Sequence, residues 1–137
     1  MSEENKAIIY RLLEGFWVKG DLNVADELLA PNFTYHSGAE EPLDLEGYKK
    51  AMLEYPDYCI DVQATVEDIV AEGDKVAVRY TWSGIHTGGL LGAPPTEKRL
   101  VLRMIAILRI VEGKIVDEWD TYDSLGMNQQ LGLIPVE

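Results

Sequence analysis

The chain has 137 residues, of which 47% are hydrophobic and 26% are charged, and its formal net charge is −12. These values predict one soluble globular domain over residues 1–137 and disfavour binding to nucleic acid or to an anionic membrane surface. The single cysteine, Cys59, excludes an internal disulfide and a cysteine zinc site.

The first residues, MSEENK, are acidic and polar, which is not typical of a signal peptide. The longest apolar run, residues 104–108, is far shorter than the roughly 20 residues that a membrane-spanning helix needs. We therefore expect a cytoplasmic protein that does not associate with a membrane.

The first half of the chain carries helix signals. Residues 3–19 have an apolar stripe at helical spacing, which predicts an amphipathic helix. Capping residues and Pro31 predict two shorter helices at 24–30 and 45–54, with a short strand at 33–37 between them.

The second half alternates with period two, which predicts four long antiparallel strands joined mostly by short turns. The predicted inward-facing residues of the two middle strands are Val76, Val78, Tyr80 and Trp82, and then Leu100, Leu102, Met104, Ala106 and Leu108. These elements predict an α+β domain in which three helices pack on one side of a curved antiparallel sheet.

The last predicted strand ends in a cluster of acids. Ile115, Trp119 and Asp123 share one parity and are predicted to face the core, whereas Glu118 and Asp120 share the opposite parity and are predicted to face water. A carboxylate that follows a Trp along an apolar face is expected to have a perturbed pKa. Asp123 is therefore the candidate acid–base residue, although it also precedes a short helix and could simply cap it.

Other kinds of site have little support in the sequence. The glycine-rich stretch GGLLGAPPTEK lacks the spacing of a phosphate-binding loop. His36, His86 and Asp123 could form a facial metal triad, but their scattered spacing does not favour one, so we expect no metal. No serine or cysteine nucleophile has a local signature, and acid–base chemistry by a carboxylate with help from imidazole remains.

Two stretches, GIHTGGLLGAPPTEKRL and IVDEWDTYDSLGMNQQLG, together with FTYH and the opening helix, resemble the SnoaL-like polyketide cyclases of the nuclear transport factor 2-like superfamily. The resemblance covers nearly the whole chain. It implies a cone-shaped fold in which the curved sheet wraps around the helices and leaves a deep apolar pocket.

The resemblance also implies a reaction, namely an intramolecular aldol closure without metal or cofactor. The family's acid–base aspartate would be Asp123, and His86 and His36 would hydrogen-bond oxygen atoms of a small hydrophobic carbonyl compound. We expect the side chains that line the pocket to include Tyr10, Trp17, Trp82, Met104 and Trp119.

Several alternatives stay open at this stage. Trp82 and Trp119 could be ordinary core residues, and His86 could be a surface histidine. The Arg-x-Asp pattern of limonene-epoxide hydrolases is missing after Arg103. An isomerase, a dehydratase, or a non-catalytic domain that binds small molecules or dimerises would share the fold.

The family resemblance further implies a homodimer. Val101, Ile105 and Ile107 share the parity of the arginines on their strand, so the outer sheet face is too apolar to be wholly solvated.

Overall fold

The computed structural model of the chain describes residues 2–37, 41–54, 58–89 and 92–135. Helices occupy most of the first half and strands most of the second. The bounds are α1 Ser2–Leu12 with a π-helical segment Leu13–Val18 directly after it, α2 Leu22–Leu28, β1 Leu29–Ser37, α3 Leu45–Leu53, β2 Cys59–Glu72, β3 Lys75–His86, β4 Arg99–Val111, β5 Lys114–Tyr122 and α4 Ser124–Gln130.

The five strands form one sheet in the order β1-β5-β4-β3-β2. The three pairings within β2–β5 are antiparallel, as predicted from the short turns. The fourth pairing is parallel: β1 runs beside β5 from Leu29↔Ile115 to Ser37↔Asp120, with a shift of register between Leu29 and Thr34. The alternation pattern identifies β1 as a strand but does not reveal which edge of the sheet it joins.

One face of the sheet is covered by helices, and we call it the inner face. The inward-facing residues predicted for β3 and β4 are confirmed, since Val76, Val78, Ala106 and Leu108 are all at most 1% exposed. The first helix packs against them through Ile9 and its neighbours. The opposite, outer face carries the alternate residues of the same strands and is much more exposed.

The first helix does not stay α-helical to its end. The predicted helix at 3–19 becomes a π-helix from Leu13 onward, and its turns bury both Phe16 and Trp17. Gly15 lies against α2 so closely that a Cβ there would be 2.8 Å from the Cγ2 atom of Val24. The wider π turn and this close approach together place Trp17 over the inner face, and π-helical turns often occur at functional sites.

The final helix, α4, closes the sheet beyond the end of β5. Gln130 accepts a hydrogen bond from the Val101 backbone N–H at 2.7 Å and donates one to the Val101 carbonyl at 2.9 Å. Its side-chain amide therefore takes the place of a neighbouring strand at the exposed edge of β4. Met127 and Leu131 are buried beneath it.

Candidate active site

The strand β5 contains one extra residue relative to β4. Ile110 of β4 pairs with Ile115, but Arg109, the preceding residue of β4, pairs with Asp117. Val116 is therefore left over as a β-bulge. A one-residue bulge reverses which side chains point to each face for the rest of the strand.

The reversal turns two acids inward. Glu118 lies opposite Leu108 and is 0% exposed, and Asp120 lies opposite the fully buried Ala106 and is partly buried. The predicted alternation of β5 is therefore wrong beyond Val116, because it assumed an unbroken strand.

Both inward acids are held by tyrosine hydroxyls. The Tyr48 O–H group donates to Oε1 of Glu118 at 2.8 Å, and the Nε1–H group of Trp17 donates to the Tyr48 oxygen at 2.6 Å. The Tyr35 O–H group reaches both carboxylate oxygens of Asp120, at 2.8 and 2.9 Å. These two hydrogen-bonded groups lie side by side on the inner face of β5, and we call the five side chains together the polar network.

Local packing fixes the donors of this network. Asp44 caps α3 by accepting a hydrogen bond from the Gly47 N–H at 2.8 Å, which sets the start of the helix that carries Tyr48. The Tyr48 ring then packs against the rings of Phe33 and Tyr35, each with centroids 4.9 Å away. The tyrosine is fully buried, so its hydroxyl is confined to the position that Glu118 requires.

The protein environment perturbs the titration of both acids. Burial is the main cause that raises the pKa of Glu118 well above its ordinary value, and the negative charge of Asp120 adds to it. Burial also raises the pKa of Asp120, while the hydrogen bond from Tyr35 and the interaction with the neighbouring Glu118 act in the opposite direction. The pKa of Tyr48 is raised by burial and by Glu118, so its hydroxyl stays protonated.

An apolar cavity lies beside the network. Its walls are Trp17, Met52, Tyr80, Trp82, Leu102 and Met104. Trp17 stacks on Tyr80 with ring centroids 5.2 Å apart, and the remaining free volume is only about 20 Å³, enough for about one water molecule. Asp120 and Tyr122 are successive inner-face residues of β5. Tyr122 pairs across the strands with Met104, which is part of the cavity wall.

A larger cleft of about 280 Å³, which we call the outer cleft, opens on the other side of Trp17 and Met52. It is formed by the end of the π-helical segment, residues 16–20, and by the start of β2, residues 59–62. Trp17 and Met52 line both spaces, so they form the wall between the cleft and the inner cavity.

The structure does not bring the four residues His36, His86, Trp119 and Asp123 around one cavity, so that prediction is wrong. Asp123 is exposed and caps α4, with its Oδ1 atom accepting a hydrogen bond from the Gly126 N–H at 2.8 Å. It borders a separate groove of about 230 Å³ with Arg103 and Ile105. The alternative role of Asp123 as a helix cap is confirmed.

His36 and Trp119 lie together on the outer face. Their rings stack with centroids 4.8 Å apart and planes 9° apart, and Trp119 is 38% exposed. The Nε2 atom of His36 is 3.1 Å from Asp117, which also accepts a hydrogen bond from Nε of Arg109 at 2.9 Å. These two hydrogen bonds outweigh the effect of burial and lower the pKa of Asp117.

His86 is on the inner face and is 0% exposed, so it is not a surface histidine. Its Nδ1 atom accepts a hydrogen bond from the Thr96 backbone N–H at 3.1 Å, which places the proton of the neutral ring on Nε2. That Nε2 atom is buried and meets no hydrogen-bond partner within the described part of the chain. Its cross-strand neighbour on β2 is Cys59, which lines the outer cleft.

The predicted pocket-lining residues divide into two groups. Trp17, Trp82 and Met104 do line the inner cavity. Tyr10 is 41% exposed on α1, and Trp119 faces outward, so neither contributes to this cavity. Tyr10 fails because the face of α1 that packs on the sheet is the one that buries Ile9 and Leu12, whereas the Tyr10 side chain lies on the exposed side of that helix.

Sequence reasoning missed Glu118, Asp120 and their tyrosine partners. One local signal was present, since Ile115 and Val116 are adjacent apolar residues in a strand that otherwise alternates. Both are buried, which is the pattern that a bulge produces.

The sequence matches the family model of the SnoaL-like polyketide cyclases over residues 7–131. The chain belongs to this family. Aklanonic acid methyl ester cyclase DnrD of Streptomyces peucetius is 39% identical to this SnoaL-like chain over 77 residues. That match spans 55% of the chain and 53% of the relative, so the chain spans about half the length of this curated cyclase.

Solved structures of the family agree with the fold over almost the whole SnoaL-like chain. IdmH of Streptomyces antibioticus, described as a candidate polyketide cyclase, is 33% identical with a TM-score of 0.84, covering 93% of this chain and 98% of its own. AclR of Streptomyces galilaeus, described as a candidate hydroxylase, is 28% identical with a TM-score of 0.89, covering 98% and 100%.

In the ranges that the structure describes, no group of three or more His, Cys, Asp and Glu side chains is arranged to hold a metal ion. The helices within those ranges are all too short or too polar to cross a membrane.

Proposed function

We propose that the chain closes a ring in a small hydrophobic carbonyl compound by an intramolecular aldol reaction, with Asp120 as the acid–base group. The observation that carries this proposal is the placement of Asp120. It is a partly buried carboxylate on the inner face, held by Tyr35 and backed by the fully buried Glu118. Of the two inward acids, only Asp120 retains exposed surface through which a substrate can reach it.

The reaction needs one proton transfer in each direction. The Asp120 carboxylate removes a proton from a carbon that lies between carbonyl groups, and the resulting enolate carbon attacks a second carbonyl of the same molecule. A carbon–carbon bond forms while the attacked carbonyl becomes an alkoxide, which takes the proton back from Asp120. Burial raises the pKa of Asp120, which makes its carboxylate a stronger base than an exposed aspartate.

The apolar cavity suits a substrate with aromatic rings. Trp17, Tyr80 and Trp82 offer ring faces, and Met52 and Met104 are flexible side chains that can change rotamer to enlarge the space. A substrate that enters from the outer cleft would displace the wall made by Trp17 and Met52. His86 is proposed to donate a hydrogen bond to a substrate oxygen, because its buried Nε2–H has no acceptor among the described residues.

This proposal transfers the acid–base role from Asp123 to Asp120. Asp123 caps α4 from an exposed position and His36 lies on the outer face, so neither is an inward-facing acid or base of the sheet. The name of DnrD, a cyclase of a methyl ester, supports the cyclisation, whereas AclR has the same fold and is described as a candidate hydroxylase.

The test is incubation of the protein with aklanonic acid methyl ester, followed by mass spectrometry. An aldol closure leaves the mass unchanged and gives a product with a new retention time. Loss of one water would indicate a dehydratase, and gain of one oxygen would indicate a hydroxylase. No product with this ester or with related polyketide esters, combined with tight binding of the unchanged ester, would favour a non-catalytic binding domain and contradict the proposal.

A further inference from the structure

Glu118 is buried deeper than the rest of the polar network. It lies two residues before Asp120 on the inner face of β5, with Leu108 of β4 and Tyr35 of β1 as its cross-strand neighbours. Its Oε1 atom accepts the hydrogen bond of Tyr48, and Tyr48 in turn accepts that of Trp17. Through Trp17 this chain of bonds extends to the wall of the inner cavity.

The second oxygen of Glu118 has no donor. Oε2 is buried, and none of the described N–H or O–H groups bonds to it. A carboxylate oxygen left bare in an apolar core is costly, whereas a protonated oxygen becomes a donor and needs only an acceptor. The carboxylate of Asp120 lies two residues further along the same face of β5 and interacts with Glu118.

No positive charge compensates this acid. The groups that face it are Tyr48 from α3, Tyr35 from β1 and Asp120 from β5 itself, with Tyr80 of β3 acting on Tyr48. Among the described residues, no Lys, Arg or His side chain forms an ion pair with Glu118. Burial and the charge of Asp120 both raise the pKa of Glu118, in agreement with the missing donor.

We propose that Glu118 is a positioning residue that stays protonated and donates a hydrogen bond from Oε2 to the Asp120 carboxylate. The pair then carries a single negative charge, which is located on the acid that the substrate can reach. Tyr35 and Glu118 would hold Asp120 from two sides and leave an oxygen lone pair free for the substrate proton. This inference rests on the proposed function only where it concerns the rate of reaction.

The protonation state can be measured without any substrate. Infrared difference spectra between the wild type and Glu118→Gln at neutral pH report which form of the acid is lost. Loss of a protonated carboxyl C=O band, without loss of a carboxylate band, supports the proposal. Loss of carboxylate bands alone overturns it, whatever the protein catalyses.

The effect on Asp120 is measured by the pH dependence of kcat/KM. The amide of Glu118→Gln can still accept from Tyr48 and donate to Asp120, so we expect a profile close to that of the wild type. Glu118→Leu has similar volume but no donor, so the acidic limb is expected to move to higher pH, because Asp120 loses a hydrogen bond that favours its charged form.

A purely structural role is separated by a matched background. In Glu118→Leu the Tyr48 hydroxyl would lose its acceptor, which could lower stability by itself. Tyr48→Phe removes that hydroxyl. The comparison is therefore between Tyr48→Phe alone and the double variant that also carries Glu118→Leu. A shift of the acidic limb in this comparison supports the proposal. A lower melting temperature with an unchanged acidic limb of the kcat/KM profile overturns the proposal. Absence of turnover in the wild type would refute the proposed function, and the infrared result would still decide the role of Glu118.

Discussion

The Tyr35 hydroxyl lies 2.8 Å from one carboxylate oxygen of Asp120 and 2.9 Å from the other. The contact joins the parallel edge strand β1 to β5, and 85 residues of sequence separate its partners. Burial raises the pKa of Tyr35, so the phenol remains protonated and can donate at neutral pH. This hydrogen bond aims the carboxylate and favours its charged form.

Replacing Tyr35 with Phe should therefore move the acidic limb of the kcat/KM profile to higher pH. The hydrogen bond from Tyr35 lowers the pKa of Asp120, whereas burial raises it. Without that hydrogen bond the pKa of Asp120 should therefore be higher. A hydrogen bond to a charged group contributes about 1.5–3 kcal/mol, so a drop in stability of about that size is expected at neutral pH. Denaturant unfolding and a pH–rate profile measure the two effects.

Tyr10→Phe is the matched control for that change. Tyr10 is exposed on α1, away from the carboxylates, so both the stability and the pH profile should match the wild type. A shifted acidic limb in Tyr10→Phe would contradict the site described above and favour the sequence-based placement of Tyr10 in the pocket.

Glu118→Gln should become more stable relative to the wild type as the pH rises. The pKa of Glu118 is raised in the folded protein, so the folded state holds a proton that the unfolded chain releases above its ordinary pKa of 4.5. The stability that comes from this proton is fully present below that value and is lost as the pH rises toward the folded pKa. Gln cannot ionise and does not incur this loss.

Melting temperatures of both proteins between about pH 5 and about pH 9 test this linkage. The melting temperature of Glu118→Gln minus that of the wild type is expected to increase toward alkaline pH. A difference that shrinks over the same range would mean that Glu118 is stabilised as a carboxylate.

We propose a homodimer through the outer sheet face. Val101, Ile105 and Ile107 are 45%, 48% and 41% exposed there, and Trp119 adds its outward ring. Exposed apolar side chains that are grouped on one face of a sheet, here next to Arg103 and Arg109, typically mark an interface. Ile105→Lys places a charge at the centre of this surface and should convert a dimer into a monomer in light scattering at micromolar concentration.

Leu22→Lys is the control for the dimer. Leu22 is 40% exposed, a value close to that of Ile107, but it lies on α2 on the opposite side of the sheet. It should leave the particle mass unchanged. A wild type that scatters as a single chain of 15.4 kDa would refute the dimer.

Gly15→Ala should destabilise the fold by about 1–3 kcal/mol through overpacking. The new Cβ would lie 2.8 and 2.9 Å from the two methyl groups of Val24, which is closer than side chains tolerate. Chemical denaturation measures the loss. Val24→Ala removes both methyl groups, so Gly15→Ala should cost less stability in a protein that carries Val24→Ala. If Gly15→Ala costs the same in both backgrounds, the close contact between Gly15 and Val24 is contradicted.

The sequence predicts the layers of this fold well, because periodicity reports directly on burial. The inward residues of β3 and β4, the helix that starts after Asp44 and the cavity residues Trp17, Trp82 and Met104 all follow from it. The resemblance carried by the sequence motifs also predicts the correct superfamily.

Bulges account for what the sequence did not predict. In β5 the extra residue Val116 exchanges the two faces, so the acids expected in water are inside and Trp119 is outside. In β2 the register shifts between Ile60 and Gln63, where Asp61 has a φ of 51°, and Ile60 is 55% exposed. A single inserted residue changes no composition or propensity, yet it reverses every later side chain.

The most direct test of the account compares the cyclisation rates of Asp120→Asn and Asp123→Asn with that of the wild type on aklanonic acid methyl ester. Asn cannot act as a base but caps a helix about as well as Asp. We predict that Asp120→Asn loses turnover by about a hundredfold or more, while Asp123→Asn stays within about twofold of the wild type. Full turnover in Asp120→Asn, or a hundredfold loss in Asp123→Asn alone, would contradict the assignment of Asp120 as the acid–base residue.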